Sequence, residues 1–186
     1  MLLKENILKI INNLSGLNFK LSDPIEDVYL TTKGIEVLGY GIYDNQIKNR
    51  FCLIIELHPD NENGALTTLL MNPSKTFPKG LNNCKKSRFD QTIRNLIILA
   101  NELKFNQVIV LNSFPYICGN SNKANEHYMK EKELNLEFID KIIQSSSNLL
   151  IACGDKVKPD LYKEHFNIIK ILKATTILTF ILILKN

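Results

Sequence analysis

Three apolar runs end abruptly at residues able to bind or turn. ALTTLLM (Ala65–Met71) stops at Asn72-Pro73-Ser74, QVIVL (Gln107–Leu111) at Asn112-Ser113, and NLLIAC (Asn148–Cys153) at Gly154-Asp155. A side-chain amide offers one acceptor and a pair of donors, a pattern that fits the hydrogen-bonding edge of a nucleobase. It is too weak a base to take a proton, but it can orient a water beside a sugar carbon, leaving proximity to supply the rate. Asn72 suits that catalytic task, with Asp155 as the nearest candidate acid. Asn112 suits base reading, with Ser74 and Gly154 beside it and the rings of Phe77 or Phe89 available for stacking.

Charge points the same way. Between Asn72 and Asn95 lie Lys75, Lys79, Lys85, Lys86, Arg88 and Arg94 against Asp90 alone, a balance of +5 in 24 residues. The rest of the chain balances at −1, within an overall +4. A local basic run in near-neutral surroundings suits a phosphate-rich partner. Each residue also has a plainer reading. Asn-Pro is a common turn, Asn112 can cap a loop, and Gly154 can simply turn the chain. Asp90 and Arg94 are spaced to pair on a helix surface. Phe114 and Tyr116, flanking Pro115, can serve as loop packing, and a lysine-rich segment can be a solvated loop.

Other chemistries find less support. His58, His127 and His165 have no metal-ligand spacing, so no zinc site is expected. Cys52, Cys84, Cys118 and Cys153 form no Cys-x-x-Cys pair and read as thiols in a reducing cytoplasm. The glycine-rich phosphate cradles are absent, and no cofactor is expected. A small-molecule hydrolase using Ser74 or Cys153 would need a histidine base, and no histidine follows a strand end in the expected way.

These residues need elements to position them. Residues 2–14 carry Leu2, Leu3, Ile7, Ile10, Ile11 and Leu14 at helical spacing, and their charges argue against a signal peptide. Residues 28–43 read as a short irregular hairpin. RFCLIIEL (Arg50–Leu57) and ALTTLLM read as strands joined through the turn-rich His58–Gly64 into a second hairpin. Asp90–Leu103 reads as a helix with Ile93, Leu96, Ile97, Ala100 and Leu103 on one face, started by Ser87 and Asp90. QVIVL reads as a strand buried on both faces. Residues 124–145 read as a helix with Leu134, Phe138, Ile139, Ile142 and Ile143 inward, followed by NLLIAC as a strand and a helix from Pro159 to Phe166. The apolar part of the tail, Ala174–Leu184, is too short to span a bilayer and reads as core strand.

From residue 65 the order strand, helix, strand, helix, strand, helix implies a mostly parallel sheet with helices on both faces. The 186 residues suit one domain, with residues 1–64 as N-terminal helix and edge hairpin and 65–186 as α/β core. Apolar content of 45% and charged content of 23% exclude a disordered, collagenous or multi-span membrane chain. In such a sheet ligands bind beyond the carboxyl ends of the strands, which places Asn72, Ser74, Asn112, Ser113, Gly154 and Asp155 along one crevice.

Leu70-Met71-Asn72-Pro73-Ser74-Lys75, then Asp90-x-Thr92 and Arg94, then Val110-Leu111-Asn112-Ser113-Phe114-Pro115, then Cys153-Gly154, together resemble domain-of-unknown-function family 1643 over about residues 50–172. That family brings no established activity. The layout is also similar, more distantly, to the uracil-DNA glycosylase superfamily. That resemblance implies a three-layer α/β/α sandwich, an Asn-Pro motif after the first strand (Asn72-Pro73), a base-reading Asn after the second (Leu111-Asn112) and a glycine turn after the third (Gly154). The superfamily's closing His-Pro-Ser-like loop has no counterpart here, since the chain from Phe166 onward holds neither His nor Pro. The sequence therefore points to a nucleobase- or nucleic-acid-binding module without catalysis. An active N-glycosylase acting on a flipped base is the alternative, and a hydrolase a further one. Nucleic acid or a nucleotide is the expected partner, a membrane or metal is not, and oligomeric state is left open.

Overall fold

The computed structural model describes Lys9 and residues 19–73, 89–118 and 121–152; within 121–131 it gives backbone and the His127 side chain. The elements in chain order are β1 (Lys20–Leu21), α1 (Val28–Thr31), β2 (Leu38–Tyr43), β3 (Arg50–Glu56), β4 (Asn63–Leu70), α2 (Gln91–Glu102), β5 (Phe105–Asn112), α3 (Ser121–Gln144) and β6 (Asn148–Ala152). The six strands form one sheet in the order β1-β2-β3-β5-β4-β6.

β5 organises this sheet. Its run FNQVIVLN is buried at every position but Asn106, as a central strand must be when both faces are covered. Ile109 pairs with Ile54 of β3 on one side and Thr67 of β4 on the other. β4 runs parallel to β5 and to β6, whereas β1/β2, β2/β3 and β3/β5 are antiparallel. The sheet is therefore mixed, not mostly parallel. The expected β3–β4 hairpin is also replaced, because β5 inserts between those two strands. Residues 57–62 between them cross about 10 Å, two strand spacings, with ease. Nor do residues 28–43 form a hairpin: they give α1 and then β2, which pairs with β3.

Alternation along the strands sorts side chains into two cores. Leu53, Ile55, Val108 and Val110 face α2, where Ile93, Leu96, Ile97 and Ala100 meet them. Ile54, Leu69, Ile109 and Leu111 face α3 and its Phe138, Ile139, Ile142 and Ile143. The two helices thus cover opposite faces. Among the described residues no helix is long and apolar enough to cross a membrane. The expected N-terminal helix 2–14 and the elements beyond Cys153 lie outside the described residues.

Two features fix α2 against the first strands. The first is Asp27, fully buried. It caps α1 by accepting from the Tyr29 and Leu30 amides, and its Oδ2 accepts from the Phe89 amide at 2.8 Å. Arg94 donates to it through Nε and Nη2, both at 3.0 Å, and lies over the Tyr29 ring, 4.5 Å from its centroid. Burial raises the Asp27 pKa, but the hydrogen bonds from Arg94 and the Phe89 and Leu30 amides, with the Arg94 charge, outweigh it and hold the carboxyl below its usual value. The second is the glycine pair in β2. A Cβ on Gly39 would lie 2.7 Å from the Phe89 ring, and one on Gly41 would strike the Tyr43 ring. Their hydrogen side chains let two buried aromatic rings lie on the strand.

Removing Asp27 leaves a largely buried guanidinium and a main-chain amide without their acceptor. Asp27→Ala is expected to cost about 3 kcal/mol, read as a lower urea midpoint at unchanged slope; a loss under about 0.5 kcal/mol would contradict the clamp. Because the folded-state pKa is depressed, this stabilisation is complete above the unfolded carboxyl pKa of about 4 and fades as pH falls through the lower folded value. Asp27→Asn should therefore flatten the acid limb of the stability–pH curve. Gly39→Ala should cost about 1–3 kcal/mol by overpacking, with part restored by adding Phe89→Leu.

Candidate functional site

The carboxyl ends of the three parallel strands are level. Leu70 of β4 registers with Asn112 of β5 and with Ala152 of β6. Asn72 and Asn112 therefore leave the sheet at the edge where β6 reaches Ala152. β5 does not end cleanly there. The Ser113 and Phe114 amides, two in succession, donate to the Leu70 and Met71 carbonyls at 2.8 Å. An extended strand points consecutive amides to opposite sides, so the chain curls over the end of β4.

Asn112 is fully buried, and among the described residues neither its Nδ2 nor its Oδ1 has a hydrogen-bond partner. By alternation its side chain lies with Val110 on the α2 face of the sheet. The Thr68 hydroxyl, on the same face of β4 between Leu66 and Leu70, is likewise buried without a partner. Leaving such a group unsatisfied costs about 1–3 kcal/mol, so this edge carries unmet hydrogen-bonding capacity.

Asn72 behaves differently. It is half-buried, and its Nδ2 donates to the Cys118 carbonyl at 2.6 Å and the Pro73 carbonyl at 3.3 Å. Its amide donors brace the loop 113–118 against the end of β4. The same loop is held by the Arg50 amide on the Pro115 carbonyl, the Ile117 amide on the Lys48 carbonyl and the Cys118 amide on the Pro73 carbonyl. Tyr116 stacks on the His127 ring of α3, centroids 4.0 Å apart.

The structure draws two expected site residues away from a ligand. Phe89 is 1% exposed, in the α2-side core against Gly39, which leaves its ring no open face for a base. Arg94 is committed to Asp27 and Tyr29. It does not pair with Asp90, whose Oδ1 caps α2 by accepting from the Ile93 amide. Ser74, Phe77, Lys75, Lys79, Lys85, Lys86, Arg88, Gly154 and Asp155 lie outside the described residues. Of the two ends that hold the basic segment 74–88, Pro73 follows β4 at this edge and Phe89 is tied to Asp27.

Three residues escaped the sequence reading. Arg50 is 2% exposed. Burial lowers its pKa, opposed by the neighbouring Tyr43, Asp90 and Cys52; a guanidinium nonetheless stays protonated, so a cation is buried where β3 meets the end of β5. Burial pushes the neighbouring Cys52 thiol up to about 12, which makes it inert. Neither Cys52 nor Cys118 is in a disulfide. Asn135 of α3 is fully buried and donates from one Nδ2 to the carbonyls of both Asn112 and Ser113, each at 3.0 Å. Its signal was present in the sequence: residues 135, 138, 139, 142 and 143 form one helical stripe, and Asn135 is the polar member. Asp27 could not be picked out as a clamp, since Phe89 and Arg94 lie more than sixty residues away from it.

Elsewhere, a hollow of about 790 Å3 lies at the opposite edge, lined by residues such as Ile35, His58, Asp60, Glu62 and Lys104. It contains none of the residues picked from the sequence. Among the described residues no group of three or more His, Cys, Asp or Glu is placed to hold a metal.

No curated protein matches the chain. Similar solved structures include an acetyl xylan esterase from Paenibacillus sp. R4, at 11% identity and a TM-score of 0.39, covering 83% of this chain and 51% of that one. A proposed acetyl xylan esterase from Bacteroides fragilis NCTC 9343 aligns at 13% identity and a TM-score of 0.38, covering 91% and 49%. The chain spans about half the length of either, and superposition this loose carries no inference about activity. Residues 50–185 match the model of the family described as Protein of unknown function (DUF1643), and the chain belongs to that family.

Proposed function

We propose that the carboxyl edge of β4 and β5 is a recognition site for a nucleobase carried on a nucleotide or a nucleic-acid strand, acting by binding and not by catalysis. The observation that supports this reading is the buried Asn112 amide with both ends unpaired. A primary amide in that state complements a pyrimidine or adenine edge, each of which offers an adjacent donor and acceptor. Asn112 is as buried as Phe89, so a base reaches it only by displacing the side chains that cover this edge; filling the two positions then returns the hydrogen bonds that the ligand-free protein forgoes.

The basic segment adds affinity without selectivity. Lys75, Lys79, Lys85, Lys86 and Arg88 follow Pro73 within 15 residues and are assigned to phosphates, with Ser74 and Phe77 of the same segment beside the base. Gly154 and Asp155 come two and three residues after the last described residue of β6 and are assigned to the far wall. The resemblance of Asn72-Pro73 and Leu111-Asn112 to glycosylase motifs agrees with base recognition. It does not favour hydrolysis, because the Asn72 donors are already spent on Cys118 and Pro73.

Fluorescence anisotropy with labelled oligo-dA, oligo-dC and oligo-dT tests the reading. Wild-type protein should prefer one base, with an affinity that falls as salt rises. Asn112→Leu should abolish the preference and keep the salt dependence. Changing Lys85, Lys86 and Arg88 together to Ala should keep the preference and reduce the slope of log K against log salt by about 2, at roughly 0.7 per phosphate contact on a single strand. Equal weak binding of all three strands by wild type and both variants would end the proposal. Alkali-labile sites appearing in uracil- or hypoxanthine-containing strands would replace it with the glycosylase reading.

A further inference from the structure

We propose that Asn135 is a positioning residue for base selectivity, resting on the reading of Asn112 as the base-reading amide. Asn135 stands on the opposite helix, α3, and on the opposite face of the sheet from the Asn112 side chain. It reaches Asn112 through the main chain. One Nδ2 donates to two consecutive carbonyls, Asn112 and Ser113, both at 3.0 Å.

Consecutive carbonyls of a regular strand point to opposite sides. Here both point toward one side chain, while the next two amides, Ser113 and Phe114, turn together to β4. The chain at 112–114 has left strand geometry, and Asn135 supplies the donors that a neighbouring strand would otherwise give. The peptide plane that follows the Asn112 Cα is thereby held from both sides: by β4 through the Ser113 amide and by α3 through the Asn112 carbonyl.

The position of Asn135 argues that this arrangement is more than packing. It occupies the stripe otherwise filled by Phe138, Ile139, Ile142 and Ile143, where a hydrophobic residue would pack against the sheet. Its Oδ1 is itself buried and, among the described residues, without a partner. A polar group held there at an energetic disadvantage is explained if its donors order something the site uses. Asn72 performs the matching task at the other end of the loop, through the Cys118 carbonyl.

The test uses the full chain with Asn135→Leu, which fills the volume without donors, and Ile142→Val on the same helix as a control for simple core destabilisation. Two readouts are taken: preference among oligo-dA, oligo-dC and oligo-dT, and the NMR positions of the Asn112 side-chain NH2 resonances without ligand. The expected result is a roughly tenfold loss of base preference, unchanged salt dependence and displaced Asn112 resonances in Asn135→Leu, with none of these in Ile142→Val. If Asn135→Leu does not fold, Asn135→Ser, which keeps a shorter donor, is expected to give an intermediate loss of preference. Unmoved Asn112 resonances and intact preference in the Asn135 variant, with Asn112→Leu still abolishing preference, would overturn this inference and leave the site reading standing. Loss of no preference in Asn112→Leu would overturn both.

Discussion

β5 is the constraint on which the described structure depends. It is paired along both edges, antiparallel to β3 and parallel to β4, and covered on both faces. Such a strand has no tolerance for register error, since a slip of one residue would exchange its α2-facing and α3-facing side chains. Val108 and Val110 would then meet α3, and Ile109 and Leu111 would meet α2. The register places Asn112 level with Leu70 at the strand's end, where the apolar run stops and the hydrogen-bonding pattern changes. The position of the candidate amide is thus a consequence of core packing eight residues deep.

Around that strand the polar groups divide into those that are satisfied and those that are not. Asp27, Asp90, Asn72 and the loop 113–118 are held by specific partners, most of them main-chain atoms. These bonds tie α2 to the first strands and the loop to β4. Asn112 and Thr68, on the α2 face of the same edge, have none among the described residues. Buried polar atoms without partners are uncommon in folded proteins, and each one calls for a physical reason. The proposed nucleotide ligand would supply partners for two on one face, beside the tether of a segment with five cations and no acid.

The local signals in the sequence were sound where one element determines its own structure. Helical spacing and the Asp90 cap placed α2 within a residue at either end, and the inward face of α3 was legible from Phe138, Ile139, Ile142 and Ile143. Pairing between elements was not legible. The run Arg50–Leu57 looks the same whether its neighbour is β4 or β5, so the hairpin expected from a short turn gave way to insertion of the more apolar β5. Arg94 showed an acid four residues before it, yet its partner is Asp27, brought close only by the fold. Phe89 looked like a stacking ring because composition does not reveal that Gly39 leaves it a seat in the core. The edge occupied by Asn72 and Asn112 was legible because apolar runs that stop at amides carry their own direction.

The most direct measurement follows the Asn112 side-chain amide itself. Its NH2 resonances are recorded in 15N-labelled protein while nucleoside monophosphates of each base are added in turn. The account predicts a saturable downfield shift of both protons with one or two bases and little change with inorganic phosphate, as expected when a buried donor first acquires an acceptor. Resonances that stay fixed through saturation with every nucleotide, or that move equally with phosphate alone, would contradict it.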